Sequence, residues 1–465
     1  MKSPFYQDDT IAAIATPLGE GAIAVVRVSG KDAISVVSRV FHGKSSLQEA
    51  AGNTVHFGRL VDSSGSHIDD VLATVFRAPR SYTGEDVVEV SCHGGLLNTR
   101  RVLQAILVAG ARQAQPGEFT RRAFLNGKMD LSQAEAVASL IVAKCEAARS
   151  ASLRQLEGKF SDQIRVLRAE LLDLLSLVEL ELDFSEEGID LIQKPELLAR
   201  LSSVGERIQR MADSYRLGKV YRDGVSVAII GKPNAGKSSL FNALLREDRA
   251  IVTDIPGTTR DTLEEAITIE GVMFRLSDTA GLRDSDDPIE QEGMSRTVAR
   301  VRQSDIALLV VDATTGASRE SAVAYLNGVA LPELGIVAYN KIDLCADSLR
   351  SPQRFRWGNT DFREVFVSAK TGLGLDTLRN ELVNSLPQAA QELGEVQVTN
   401  ERHYEALLAA HSCLSASKQA LVDSRSTEFI ADDIRRSCNA LAEIVGEVTT
   451  DDILTNIFSK FCIGK

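Results

Sequence analysis

Several absences narrow the class of this chain before any motif is considered. Cysteine is scarce and scattered: the six residues, at 92, 145, 345, 413, 438 and 462, contain no CxxC pair. That spacing indicates neither a disulfide framework nor a cysteine zinc site, and it fits a reducing compartment. No apolar run approaches the roughly 18–20 residues that a membrane-spanning helix needs. Met1-Lys2-Ser3-Pro4 leads to the acidic pair Asp8-Asp9 without an apolar signal core, so a cytoplasmic location is expected. Positive charge is in deficit, with 52 Lys and Arg against 64 Asp and Glu and a formal net charge of −12. Such a chain is not a bulk nucleic-acid binder, and any RNA contact must use a local basic patch. What remains is an ordinary globular balance, 44% hydrophobic and 25% charged over 465 residues. That length implies roughly two to four domains.

The texture of the chain changes three times. Residues 1–118 read as a mixed α+β domain: short apolar runs in Ile11–Val28 are broken by Gly19, Gly21 and Gly30, and Val71–Phe76 and Val87–Val90 read as strands. Pro116-Gly117 marks a boundary. Residues 119–220 are helical, with apolar residues at three- and four-residue spacing over Leu131–Ala151 and Phe160–Leu182. Over 221–383 short β-branched runs (Val225–Ile230, Phe274–Ser277, Ile306–Val311, Ile336–Tyr339, Val365–Val367) are separated by enough chain for crossovers. That pattern predicts a parallel-rich sheet with helices on both faces. Residues 384–465 are helical again, in Tyr404–Ser424, Ala431–Val445 and Asp451–Phe458. The expectation is a multidomain α/β protein in which an α/β domain is inserted into a discontinuous all-α domain.

Gly231-Lys232-Pro233-Asn234-Ala235-Gly236-Lys237-Ser238 matches the phosphate-loop pattern G-x-x-x-x-G-K-S/T, between the apolar strand Val225–Ile230 and the helical stretch Ser239–Leu245. Its glycines let backbone N–H groups wrap phosphates at a helix N-terminus. Lys237 is expected to reach the β- and γ-phosphates, and the Ser238 hydroxyl to bind Mg²⁺. Asn340-Lys341-Ile342-Asp343 closes the strand Ile336–Tyr339. A carboxylate at Asp343 can accept both guanine N1–H and the 2-amino group, donors that adenine lacks. Ser368-Ala369-Lys370 follows the next strand and is expected to support guanine O6 through backbone N–H. Asp278-Thr279-Ala280-Gly281 ends another strand, placing Asp278 toward Mg²⁺ through water and Gly281 N–H toward the γ-phosphate. Gly257-Thr258-Thr259-Arg260-Asp261 supplies Thr258 and Thr259 as hydroxyls for the magnesium shell. Ser239, Thr253, Thr279, Ala280 and Lys341 complete the expected nucleotide set. The five elements, in order, resemble the G domain of translation-factor-class GTPases, with a Ras-like P-loop fold. One position departs: Leu282 stands after DTAG, where Ras-like proteins carry a water-orienting Gln. From the residues alone, either a carboxylate of the following loop (Asp284, Asp286, Asp287, Glu290) or a cation takes over that task.

The whole chain resembles the bacterial and organellar tRNA-modification GTPase family MnmE, also called TrmE. The resemblance rests on Asp9-Thr10-Ile11-Ala12-Ala13-Ile14-Ala15-Thr16-Pro17, on Ser81-Tyr82-Thr83-Gly84-Glu85-Asp86 and on Pro116-Gly117-Glu118-Phe119-Thr120. It continues in Arg122-Ala123-Phe124-Leu125-Asn126-Gly127-Lys128 and ends in the tail Cys462-Ile463-Gly464-Lys465. The resemblance implies an N-terminal domain similar to tetrahydrofolate-binding enzymes, which dimerises and binds a 5-formyl or 5,10-methylene derivative. Arg27, Glu89 and Lys128 match its folate contacts, and the tail with Lys465 reaches toward that site. It implies a potassium-stimulated GTPase. Asn234, Thr253, Ile255 and Thr258 match the K⁺ positions, Ser238 and Thr259 the Mg²⁺ positions. Glu290 aligns water beside Lys237 and Gly281. It implies an FAD-dependent MnmG-type partner, with which a (carboxymethyl)aminomethyl group is added at C5 of the tRNA wobble uridine.

Other features have simpler readings beside the functional ones. Cys462 is an accessible tail thiol and a candidate nucleophile. His93-Gly94-Gly95 is a strand end of active-site character or a turn. The cluster Arg207, Arg210, Arg216, Lys219 and Arg222 reads as a solvated helix face before tRNA contact. The alternative function is a regulatory GTPase of ribosome assembly, for which a basic RNA-binding module after the G domain is expected; residues 384–465 are helical and not notably basic. A stand-alone folate enzyme would need an acid–base constellation in 1–118, and none is evident in the sequence.

Overall fold

A computed structural model of the chain describes residues 9–183, 192–248, 264–278, 299–315, 319, 326, 329–345, 352–386 and 398–465. They form two compact units, the first from Met1–Ala138, Gln155–Glu179 and Ile434–Lys465, the second from Ser139–Arg154 and Leu180–Asp433. Among the described residues no helix is long and apolar enough to cross a membrane.

The first unit is built on seven strands: β1 (Ile11–Ile14), β2 (Ile23–Ser29), β3 (Phe41–Gly43), β4 (Thr54–Val61), β5 (His67–Phe76), β6 (Val87–His93) and β7 (Arg112–Gln113). Their order is β3-β4-β5-β6-β2-β1-β7. Only β1 and β7 run parallel; the other pairs are antiparallel. The period-two alternation decides the two faces. Val26 and Val28, Val88 and Val90, and Val71, Ala73 and Val75 meet Val36, Val37, Val102 and Ile106 from helices Ala33–Ser38 and Leu96–Val108. The alternate residues lie on the opposite face, where Ile11, Ala13, Ala114 and Phe119 are buried together with Tyr82 against them. Arg27 and Glu89 are direct cross-strand partners on that face. Within the same unit Leu131 and Ala134 pack with Leu454, Phe458 and Phe461, and the stripe Ile164, Leu167, Leu171, Leu174 is fully buried. The helical pattern over Leu131–Ala151 is realised as two helices, Leu131–Val142 and Glu146–Leu156, with neither Gly nor Pro at the interruption.

The second unit holds β8 (Val225–Ile230), β9 (Glu264–Ile269), β10 (Val272–Asp278), β11 (Ile306–Asp312), β12 (Leu334–Asn340), β13 (Arg354–Trp357) and β14 (Thr360–Phe366). The order is β13-β14-β12-β11-β8-β10-β9. β14, β12, β11, β8 and β10 are parallel. The expected parallel strands are all present, and their near-continuous apolar runs fit a sheet covered on both faces. Val227, Ile229, Leu308 and Ile336 face Leu240, Leu244, Leu378 and Leu382 of helices Lys237–Asp248 and Leu375–Asn384. Ala228, Ile230, Leu309 and Val337 face Val301 and Leu326. The edge strands β9 and β13 run antiparallel to their neighbours. Each joins through a two-residue hairpin: Glu270-Gly271 has φ 48° and 80°, and Gly358, with φ 60°, precedes Asn359. Positive φ at such a turn matches the twist of the flanking strands.

Candidate nucleotide site and tail-covered face

The phosphate loop leaves the carboxyl end of β8, the end of a parallel sheet at which ligands are held. Gly231 has φ 152°, and a Cβ there would lie 2.3 Å from the Val310 carbonyl. Gly236, at φ 90°, would place a Cβ 2.3 Å from Asn340 Nδ2. Both positions therefore exclude a side chain. Asn234 is left-handed at φ 64° and exposed. Lys237 opens the following helix, and its ammonium donates to the carbonyls of Gly231 (3.0 Å) and Lys232 (3.2 Å). The amine is thus curled over its own loop. Ser238 and Ser239 are exposed at the first helical turn.

Asn340, 2% exposed, joins this loop to the third sequence element. Its Nδ2 donates to the Ala235 carbonyl (3.0 Å), and its Oδ1 accepts from Ala369 N (3.0 Å). A buried amide satisfied at both ends is a rigid connector. Ser368, fully buried, donates its hydroxyl to Asp343 Oδ1 (2.6 Å), which orients an otherwise exposed carboxylate. Lys370 is exposed beside it. Lys341 has φ 68°, and its ammonium meets Asp312 Oδ2 at 2.6 Å. Asp312, at the end of β11, was not among the sequence-derived candidates; its only signal was an acid closing an apolar run. Asp278 ends β10 in register with Ile229 of β8. Thr253, Ile255, Thr258, Thr259, Thr279, Ala280, Gly281, Leu282, Asp284, Asp286, Asp287 and Glu290 lie outside the described residues. Among the described residues no cluster of three or more His, Cys, Asp or Glu is placed to hold a metal.

The second candidate site lies on the face of the first sheet opposite helices Ala33–Ser38 and Leu96–Val108. Arg27 Nε and Nη2 contact Glu89 Oε1 at 2.9 and 2.8 Å. The Arg27 guanidinium sits 5.0 Å from the Tyr82 ring centroid and 5.7 Å from that of Phe119. The tail reaches this pair: Arg27 Nη1 lies 3.5 Å from the Gly464 carbonyl, and Phe119 N donates to the Lys465 carbonyl at 3.2 Å. Gly464, at φ 99°, leaves no room for a Cβ, which would stand 2.3 Å from the Ile14 carbonyl. Burial, then the neighbouring Arg27 charge, holds the Lys465 amine below its ordinary range. Lys128 does not join the Arg27–Glu89 pair; its ammonium donates to the Pro79 carbonyl at 3.1 Å. Cys462 is exposed, but its backbone is tied, since its carbonyl accepts from Gly117 N (3.5 Å) and Lys465 N (3.3 Å).

Behind this face is a charge network that sequence reading missed. Arg122, 6% exposed, contacts Asp9 (2.6 Å), Glu118 (3.2 Å) and Glu85 (3.3 Å), while Arg112 bridges Asp9 and Glu118 (both 2.6 Å). Glu85 also accepts from Ser29 Oγ at 2.7 Å, which fixes the Thr83–Glu85 turn. Partial burial raises the carboxyls of Asp9 and Glu118, but the two arginines outweigh it and hold both below their usual range. His93 is exposed at the end of β6. Asp69 accepts its N (2.8 Å), its Nδ1 (2.7 Å) and Asn98 Nδ2 (2.7 Å), tying a strand end to the next helix. Of the basic cluster, Arg222 is paired with Asp223 at 2.8 Å.

Two family models match the chain: one described as the MnmE helical domain over residues 131–462, the other as the GTP-binding protein TrmE N-terminus over residues 10–128. A tRNA modification GTPase MnmE from Cytophaga hutchinsonii is 43% identical over 457 residues, covering 98% of each chain. One from Salinibacter ruber is 45% identical over 467 residues, covering 99% of this chain and all of its own. Among solved structures, the G domain of the T. maritima FeoB iron transporter aligns at 26% identity, over 35% of this chain and 98% of that one. The TM-score of that alignment is 0.25.

Proposed function

Since the chain belongs to the MnmE family of tRNA modification GTPases, we propose that it hydrolyses GTP to GDP and phosphate in order to drive modification of the tRNA wobble uridine. The observation that carries the GTP reading is Asn340, whose one amide holds the phosphate loop and the Ser368–Lys370 turn together beside Asp343. A base bound there would meet Asp343 as a double acceptor, which selects guanine. Lys237 would exchange its contacts to the Gly231 and Lys232 carbonyls for the β- and γ-phosphates.

Mg²⁺ fits the oxygen character of the loop: the exposed Ser238 hydroxyl at the helix start would hold it, with Thr259 as the matching second position. Bound there, the ion neutralises charge developing on the phosphates. For K⁺ the support is Asn234, exposed and left-handed, whose side-chain oxygen is a hard ligand. Thr253, Ile255 and Thr258 would complete the site, and Glu290 would orient the attacking water in place of the Gln that Leu282 replaces.

The tail-covered face is read as the tetrahydrofolate site. Arg27, Glu89 and Lys465 offer charged groups there, and Tyr82 and Phe119 offer flat apolar surface beside them. The one-carbon unit bound there would be transferred with an MnmG-type FAD partner, giving the (carboxymethyl)aminomethyl group at uridine C5. Residues 1–118 would also dimerise the protein, 119–220 and 384–465 would form one helical domain, and 221–383 the G domain. A cytoplasmic setting fits the scattered free cysteines.

Nucleoside mass spectrometry of tRNA from cells lacking this protein tests the reading. Loss of the C5 group at the wobble uridine is expected; an unaltered wobble uridine would overturn it. GTP turnover should rise steeply when Na⁺ is replaced by K⁺, and equal rates in the two salts would remove the potassium assignment.

A further inference from the structure

We infer that Asp312 is a positioning residue of the guanine-nucleotide site, holding the Lys341 side chain stretched across the end of the phosphate loop so that its methylene stem forms one wall for the base. This rests on the nucleotide-site reading above. β11 and β12 run parallel with Asp312 directly beside Asn340, so the carboxylate stands next to the residue that precedes Lys341. The left-handed backbone of Lys341 (φ 68°) ends the strand abruptly. Its Nζ lies 2.6 Å from Asp312 Oδ2, and its Cε lies 3.9 Å from where a Cβ on Gly236 would stand. The stem therefore passes over the last glycine of the phosphate loop.

Asp312 is itself held in place. Its Oδ1 accepts from Thr314 N (3.0 Å) and Thr314 Oγ1 (2.6 Å), leaving Oδ2 for the lysine. A carboxylate fixed by the two Thr314 donors at a strand end cannot follow the ammonium if it swings, so it acts as an anchor rather than a passive partner. A free lysine side chain samples many rotamers, and ordering it only when nucleotide arrives lowers affinity. The anchored one is ordered beforehand.

The test compares full-length wild type with Asp312→Asn and Asp312→Glu, using a fluorescent GDP in stopped flow and GTP turnover. Asp312→Asn should release GDP roughly tenfold faster and raise KM for GTP by a similar factor, the size of one charge-assisted hydrogen bond, with kcat at saturation retained. GTP and ITP should be affected equally, because the stem reads the plane of the base and not its edge. In a Lys341→Met background the further change Asp312→Asn should have no effect, since its only route is through that lysine. Unchanged release in Asp312→Asn, or full additivity in the double variant, would overturn the inference. Recovery in Asp312→Glu would support it, and so would an unshifted melting temperature of the nucleotide-free Asp312→Asn protein. Asp343→Asn separates the two claims. If it too leaves GTP affinity unchanged, the site reading fails; if it weakens GTP while Asp312→Asn does not, only the anchor fails.

Discussion

The two candidate sites are made by opposite means. The nucleotide end of the second sheet is largely backbone: a loop whose Gly231 and Gly236 admit no side chain, wrapped toward a helix start, with Asn340 as its connector. The face under the tail in the first unit is made of side chains drawn from distant parts of the chain. Arg27, Glu89, Tyr82, Phe119 and Gly464 meet there only because strands pair and the tail docks. A backbone site needs a contiguous motif, since the φ values must follow one another. A side-chain site needs only register, which spreads its residues over more than 400 positions, from Arg27 to Gly464.

The largest expected effect falls on the second kind of site. Arg122→Met would leave Arg112 on Asp9 and Glu118 but take the arginine from the buried Glu85, costing about 3 kcal/mol. Urea unfolding of the full chain should show that loss, and a value under about 1 kcal/mol would mean that the network relaxes to other partners. Next comes Asp343→Asn, which removes one acceptor for two guanine donors. GTP affinity should fall about a hundredfold, with a shift toward xanthosine nucleotides, measured by calorimetric titration. Unchanged affinity would detach Asp343 from the base. Gly464→Ala puts a methyl group against the Ile14 carbonyl and should cost about 1–3 kcal/mol of tail docking. Faster amide exchange at Phe119 would report it, while GTP binding should not change.

The smallest effect is a pH dependence. Asp9 and Glu118 have carboxyls held below their ordinary range in the folded chain. Their contribution is complete above the unfolded values near about 4 and is lost as pH falls through them toward the lowered folded values. Urea midpoints should therefore drop below about pH 4, and Arg122→Met should flatten that slope. A slope identical in the variant would place the acid sensitivity elsewhere.

Much of the second sheet was legible because each parallel strand is buried on both faces and so appears as an unbroken β-branched run. Its edge strands β9 and β13 were not. Glu264–Ile269 and Arg354–Trp357 alternate or mix charge, as strands exposed on one side do, and nothing local separates them from loops. In the first unit β4 was missed for the same reason, with Val55 and Phe57 exposed between polar neighbours. The five candidate nucleotide motifs were readable as words in the chain, and the described residues hold the phosphate loop, the NKID turn and the Ser368–Lys370 turn. Asp312, Arg112 and Arg122 were not, because an acid or a base carries no sign of its partner until the chain brings the two together.

By itself the sequence determined that a phosphate-loop motif follows β8, that NKID closes β12 and that Asp278, the first residue of DTAG, ends β10, because each motif demands particular residues in consecutive positions. Only the tertiary structure decided that Asn340 joins the loop to the Ser368 turn, that Asp312 holds Lys341, and that Arg122 gathers Asp9, Glu85 and Glu118. Those are contacts between side chains far apart in the chain, and their distances are set by strand register and packing, which no local pattern encodes.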